Sequence, residues 1–316
     1  MVRYLRRRLV NGLLVLFALS VLAFALVRLI PGDPVASRLG QSGATPQQIA
    51  ALRQELGLTG SPVVQYFRWL GHLFTGDFGH SLLNGEAVRA ELATRVPVSL
   101  ELAVIASVIA IAWGVAAGIV SAARRGGPTD GALRGIAFLG MSVPPFVVGT
   151  VMVLLSSLYL PKWPITGYTR LTDDPVRNLQ GLLLPAIALS LPLGAVVCRY
   201  TRASLVDVLG NDFLRTARAK GAGEFRLVIV HALRNALVPV VTVSGVQLAG
   251  LVGGAVIIEQ VFALPGVGSL MVQSISSNDY PMIQGCILVI GAIFVILNLA
   301  VDLLYPAIDP RLRVHA

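Results

Sequence analysis

Residues 211–223, NDFLRTARAKGAG, form a polar stretch between two long apolar runs, Leu182–Cys198 and Leu237–Ile258. Asn211 or Asp212 can cap the start of a short helix, because a side-chain oxygen there satisfies a free backbone N–H. The glycines near the end of the stretch predict where that helix stops, since glycine readily adopts the left-handed conformation of a helix C-terminus. The stretch therefore predicts a short capped helix in the connection between two apolar segments.

The number and length of the apolar runs decide the fold class. A helix needs roughly 20 apolar residues to span the hydrocarbon core of a bilayer, and six runs approach that length. Charged residues make up 13% of the chain, whereas soluble domains carry about a quarter. The sequence therefore predicts an all-α membrane protein with six transmembrane helices. The runs are Leu9–Ile30, Val98–Ala123, Ile136–Leu160, Leu182–Cys198, Leu237–Ile258 and Met282–Leu304.

Basic residues are distributed unequally between the two sides of this topology. With six spans both termini lie on one side, and that side carries 16 of the 25 Lys and Arg residues but six of the 16 acidic residues. Positive charge resists translocation, so we predict that the N-terminus and the C-terminus are both cytoplasmic. The net charge of +9 is therefore explained by the basic residues on the cytoplasmic side, and it requires no nucleic-acid partner.

The topology divides the chain into four parts. These are transmembrane helix 1 (1–30), an extracytoplasmic region (31–97), a permease domain (98–305) and a cytoplasmic tail (306–316). The extracytoplasmic region has two predicted helices, near residues 45–57 and 63–74. The second is rich in aromatic residues, which fits either a helix at headgroup level or a docking surface for an extracellular partner. Both interpretations stay open.

The longest connection on the cytoplasmic side covers residues 199–236 and exceeds what a simple link between helices needs. Phe213, Leu214 and Ala217 give its first short helix an apolar side, and the arginines give it a polar one. A second helix, starting at Glu224, leads into the fifth span. A short exposed amphipathic helix of this kind is typical of a surface that fits a groove on a cytoplasmic partner.

Motifs for catalysis, nucleotide binding or metal binding are missing from the sequence. The two lysines, Lys162 and Lys220, are not followed by the Ser or Thr of a phosphate-binding loop. The four histidines have no partners at metal-ligand spacing. The interiors of the spans lack the ionisable residues on which ion-coupled carriers usually depend. We therefore expect a non-catalytic transport component that binds no metal or cofactor and is driven by an external motor.

The cytoplasmic stretch resembles the "EAA" coupling loop of ABC importer permeases. DFLRTARAKGA at 212–222, followed by HALRNALVP at 231–239, is similar to the peptide/nickel branch of that family. Further motifs resemble the B-type transmembrane subunit of dipeptide and oligopeptide permeases, in the same order along the chain. They are RLIPGDP at 28–34, GDFGHS at 76–81, EQVF at 259–262, LPGVG at 264–268 and DPR at 309–311.

The resemblance implies the type I ABC importer transmembrane fold in a bacterial inner membrane. It implies four kinds of partner: a homologous second permease subunit, two ATPase subunits that bind ATP and Mg, an extracytoplasmic substrate-binding protein and the lipid membrane. It also implies that the helix over residues 212–221 inserts into a cleft of the ATPase and couples its movement to transport. The residues to which this role is assigned are Asp212, Phe213, Leu214, Arg215, Thr216, Ala217, Arg218, Lys220 and Gly221.

The substrate stays open at this stage. Di- or oligopeptides are the predicted substrate, and the same subunit type also serves importers of nickel, glutathione or haem. Thr242, Ser244 and Gln247 on the fifth span are candidate pore-lining groups, although such side chains also form hydrogen bonds to neighbouring helices. A self-sufficient secondary transporter is the alternative from a different class.

Overall fold

The computed structural model describes residues 2–29 and 60–308, together with Thr45 and Gln47. The predicted helix over residues 45–57, apart from those two positions, and the end of the tail lie outside the described residues. The described part of the chain is helical and contains no named strand. The predicted all-α class is therefore confirmed.

The described residues form eleven α-helices and one π-helical turn. The helices are α1 Val2–Leu29, α2 Pro62–Phe74, α3 Val88–Ala123, α4 Pro128–Ser142, α5 Pro145–Tyr159, α6 Pro175–Leu209, α7 Asp212–Ala219, α8 Glu224–Arg226, α9 Leu233–Val261, α10 Val267–Ser276 and α11 Tyr280–Ile308. The π-helical turn, Leu227–Ala232, joins α8 to α9 without a break.

The third predicted span is broken. Five helices of the described chain are long and apolar enough to cross a membrane alone, and α4 with α5 forms a sixth span only as a bent pair. The two helices meet at an angle of 102°. Val143 and Pro144 each precede a proline, which disfavours the helical conformation of the residue before it. Both therefore adopt extended backbone, with ψ of 124° and 138°. The two consecutive prolines, Pro144 and Pro145, thus interrupt the apolar run that the sequence predicts as one span.

Helix α6 lies at the centre of the bundle and packs against α3 through small residues. A Cβ added at Gly114 would lie 2.5 Å from the carbonyl oxygen of Gly194, and one at Gly118 would lie 2.6 Å from Cβ of Thr201. Small residues spaced by four allow helix backbones to approach closely in a membrane. Leucine, valine and alanine side chains of α3, α6 and α9 form the main core around this contact.

The spans extend beyond their apolar runs. Helix α3 begins at Val88, ten residues before the apolar run, and continues through Pro97. Helix α6 continues to Leu209, which shortens the predicted connection 199–236. The added turns bury residues such as Leu92 and Leu205, so packing rather than hydropathy decides where these helices end.

The predicted helix near 63–74 is confirmed as α2 and packs against α1. The Tyr66 hydroxyl is 2.9 Å from the Ser20 hydroxyl, and its ring makes edge contacts with Phe17 and Phe24. The opposite side of α2 is apolar and uncovered, with Phe74 86% exposed. An exposed apolar face of this kind is what both a headgroup-level helix and a docking surface require.

Candidate functional site

The predicted coupling segment forms a separate short helix, α7, at one end of the bundle. Leu214 is 2% exposed and lies in an apolar cluster with Ala122 of α3, Leu205 of α6 and Leu227 of the π-helical turn. Burial of one leucine side chain contributes about 2 kcal/mol, which anchors α7 against three other elements. We call this end the basic end because it also carries the arginines that follow α3; the opposite end is the far end.

The ends of α7 match the sequence prediction closely. Asn211 occupies the N-cap position with extended backbone, although its side chain makes no capping hydrogen bond. At the other end, the N–H of Gly221 donates to the carbonyl oxygen of Arg218 at 2.9 Å, and the N–H of Ala222 donates to that of Ala217 at 3.2 Å. These two bonds form a Schellman motif, which requires a left-handed residue. Gly221 supplies it, with φ of +84°.

An ion pair fixes the direction of α7 relative to the next helix. The Arg218 guanidinium donates two hydrogen bonds to the Glu224 carboxylate, at 2.8 and 3.1 Å. The hydrogen bond with Glu224 raises the pKa of Arg218 above its ordinary value. An exposed ion pair contributes little to the stability of the fold, but its two parallel hydrogen bonds fix the relative orientation of the two side chains. It therefore holds α7 and α8 in one orientation around Gly221.

The outward face of α7 is mixed apolar and basic. Phe213, which the sequence groups with Leu214 and Ala217, points away from the bundle and is 46% exposed. Phe225 of α8 is 80% exposed at the same end. Arg215 and Lys220 are exposed around them. Exposed aromatic side chains ringed by arginine and lysine are typical of a surface that a partner covers, with the aromatics as anchors.

The three candidate pore-lining residues do not share one surface. Thr242 and Gln247 are exposed on α9, whereas Ser244 is buried and its hydroxyl donates to the carbonyl oxygen of Val240 at 2.7 Å. Within the described part of the chain, no group of three or more His, Cys, Asp or Glu side chains is arranged to hold a metal ion.

The comparison with protein families identifies the type of protein. The family described as "Binding-protein-dependent transport system inner membrane component" matches residues 114–314, and its N-terminal companion matches residues 1–103. The chain belongs to this family. The resemblance seen in the coupling-loop motif is therefore confirmed, and so is the type I importer fold of a multi-pass membrane protein.

Relatives of this membrane component match it over almost its whole length. A Brucella abortus protein named as a peptide transport system permease is 41% identical, over 97% of this chain and 98% of the relative. A Brucella ovis protein named as a peptide permease is 42% identical, over 99% and 100%. The di/tripeptide transport system permease protein DppB of Pseudomonas aeruginosa is 39% identical, over 99% of each chain.

A buried ion pair at the basic end of the membrane component escaped the sequence interpretation. Asp130, only 1% exposed, accepts two hydrogen bonds from Arg202, at 2.7 and 2.8 Å. It also accepts one from the Ser121 hydroxyl at 2.6 Å and one from the Gly126 N–H at 3.0 Å. All the acceptor capacity of the carboxylate is used. The pair joins α3, α4 and α6, and no local pattern signals it because Arg202 is 72 residues away.

A second buried carboxylate organises the far end of the membrane component. Glu259, 1% exposed, accepts hydrogen bonds from the Ser99 hydroxyl at 2.6 Å and from the Ser269 N–H at 3.0 Å. Ser99 in turn accepts from the Val267 N–H at 2.9 Å. The carboxylate thus caps the N-terminus of α10, where negative charge is favoured. A Cβ at Gly266 would overlap the carboxylate, which explains a glycine in the EQVF…LPGVG segment.

Proposed function

We propose that this chain is the permease subunit of an ABC importer and forms half of the translocation path for di- or oligopeptides. The observation that carries the proposal is α7, whose inner residue Leu214 is anchored in the bundle while Phe213 is left exposed. A helix held rigidly on one side and uncovered on the other can transmit movement of a partner into the bundle. The names of the Brucella and Pseudomonas relatives support peptides as the substrate.

The assembly we propose contains this chain, a homologous second permease, two ATPase subunits and an extracytoplasmic binding protein. Helix α9 supports a second membrane subunit because it leaves one stripe uncovered. Pro239, Thr242, Val246, Gly250 and Gly253 are exposed at helical spacing, and a Cβ at either glycine would meet no atom within 4 Å. This stripe would face the equivalent stripe of the second permease, and the two would line the translocation path. ATP hydrolysis would be carried out by the partner ATPases.

Both termini are cytoplasmic in the proposed orientation, with the basic end inside. We expect Thr172→Cys, in the exposed far-end loop between α5 and α6, to react with an impermeant thiol reagent added to intact cells. Lys220→Cys, at the basic end, should react only after permeabilisation. The native Cys198 and Cys286 are both buried, so the parental chain provides a low background. The reverse labelling pattern would overturn the orientation.

Affinity purification of the chain from mild detergent tests the proposed role directly. We expect a homologous permease and two ATPases containing phosphate-binding loops to co-purify. Phe213→Asp should reduce recovery of the ATPases by about tenfold or more, as removal of an aromatic anchor does at protein interfaces, and should leave the second permease bound. Leu83→Asp, a matched change at an apolar residue 51% exposed at the far end, should retain all subunits.

Two outcomes would contradict this proposal. Equal loss of ATPase in the Phe213 and Leu83 variants would show that α7 is not the docking site. Purification of the chain alone, with transport in liposomes that lack ATP, would favour a secondary transporter. In the intact complex, competition among a labelled dipeptide, Ni²⁺, glutathione and haem identifies the substrate, and we expect ATP-dependent uptake of the dipeptide.

A further inference from the structure

A groove of about 860 Å³ opens between α4 and α6 near the basic end. None of the residues that line it belongs to α7 or α9. The residues that line it are Ser121, Gly131, Arg134, Gly135, Ala137, Phe138, Met141, Ser142, Cys198, Arg199, Arg202 and Ala203.

The walls of the groove are mainly apolar. Phe138 and Met141 are 70% and 43% exposed, so a large part of each side chain is left uncovered by the chain itself. Gly131 and Gly135 lie one helical turn apart, and a Cβ at either position would meet no heavy atom within 4 Å. The glycines therefore keep open a channel that any larger side chain would narrow.

Two arginines at the groove have no acidic partner in the described part of the chain. The third, Arg202, is neutralised by its bidentate pair with Asp130. Arg134 and Arg199 are exposed and form no salt bridge with a described residue; the guanidinium of Arg199 lies 5.3 Å from the ring centroid of Tyr200. The groove thus presents two unpaired positive charges beside an apolar surface.

Charge and apolar surface are separated along the axis of α4. Arg134 precedes Met141 by seven residues, which corresponds to about 10 Å along a helix. Arg134 lies toward the start of α4, at the basic end, and Met141 lies next to the end of α4, toward the bend. A cationic group followed by an apolar wall is complementary to a phospholipid, in which an anionic headgroup is followed by the acyl chains.

We propose that this groove binds an anionic phospholipid, with its phosphate between Arg134 and Arg199 and an acyl chain along Phe138 and Met141. Basic pockets between transmembrane helices on the cytoplasmic side recognise anionic headgroups in this way. A free phosphate or a nucleotide would satisfy the arginines but would leave the apolar walls exposed. A zwitterionic lipid would cover the walls but would leave the two positive charges only partly compensated.

Native mass spectrometry of the purified complex, exchanged into detergent with added phosphatidylglycerol or phosphatidylethanolamine, tests this site. We expect one phosphatidylglycerol to be retained in preference to phosphatidylethanolamine. The double variant Arg134→Gln/Arg199→Gln should bind it roughly thirtyfold more weakly, the factor that two basic groups contribute at an anionic surface. Gly135→Leu, which fills the groove without changing charge, should also abolish retention. Arg124→Gln/Arg125→Gln is the matched control and should retain the lipid.

A photo-crosslinking measurement identifies what covers the groove in the membrane. With p-benzoylphenylalanine in place of Phe138, we expect a phospholipid adduct whose yield falls in the Arg134→Gln/Arg199→Gln background. A crosslink to a second membrane subunit would overturn the proposal and make the groove a protein interface. Equal lipid retention in the groove variant and in the Arg124/Arg125 variant would also overturn it, because the charges would then act without a specific site.

Discussion

Replacement of Gly221 by valine is expected to abolish ATP-dependent uptake while the chain still inserts and assembles with the proposed second permease. Gly221 has φ of +84°, a conformation that costs a residue with a side chain about 1–2 kcal/mol and a β-branched one more. The two hydrogen bonds that end α7 would be lost together with the orientation set by Arg218 and Glu224. In the proposed assembly, an ATPase docked on α7 would then move this helix without moving the bundle.

Gly223→Val is the matched control for this result. Gly221 and Gly223 both have open space where a Cβ would be placed, but Gly223 has φ of −68°, which other residues adopt without strain. The measurement is substrate-stimulated ATPase activity together with uptake in proteoliposomes. We expect near-parental values for Gly223→Val and uncoupled or absent activity for Gly221→Val. Normal uptake in the Gly221 variant would refute the role of the left-handed turn.

The second large effect is expected at the buried ion pair. Asp130→Ala removes four hydrogen bonds and leaves Arg202 without its counter-charge, because Asp130 is its bidentate partner. Loss of one member of a buried pair is strongly destabilising. We expect the Tm of the chain in detergent to fall by on the order of 10 °C, measured by intrinsic fluorescence during heating.

Two comparisons separate this effect from a general loss of packing. The double variant Asp130→Ala/Arg202→Ala removes both charges and should recover part of the lost Tm, since no unpaired charge remains. Glu224→Ala breaks the exposed pair with Arg218 and should change the Tm by about 1 °C or less. A double variant less stable than the sum of the single variants would contradict the expected coupling.

The sequence predicted α7 well because its signals are local. A polar N-cap position, an amphipathic octapeptide and a glycine that can adopt positive φ all lie within eleven residues. They mark the ends of the helix even though the Asn211 side chain makes no capping hydrogen bond. The same holds for the membrane spans, whose number follows from run length. Local signals were less informative at the middle of the third span, where two consecutive prolines indicate a bend but do not determine its angle of 102°.

The direction in which each side chain of α7 points could not be predicted in the same way. Phe213 and Leu214 are adjacent and both apolar, yet Leu214 is 2% exposed and Phe213 is 46% exposed. The difference depends on where α3, α6 and the π-helical turn place their own apolar residues. The proposed docking surface is therefore defined by what the bundle leaves uncovered.

The sequence by itself determined the membrane class, the number of apolar spans and the position and ends of α7, since each depends on interactions among residues close in the chain. Only the tertiary structure decided which carboxylates are buried and paired. Asp130 meets Arg202 across 72 residues and Glu259 meets Ser99 across 160. The physical reason is that a buried charge is tolerated only where distant helices supply its hydrogen-bond donors, and helix packing alone determines which donors those are.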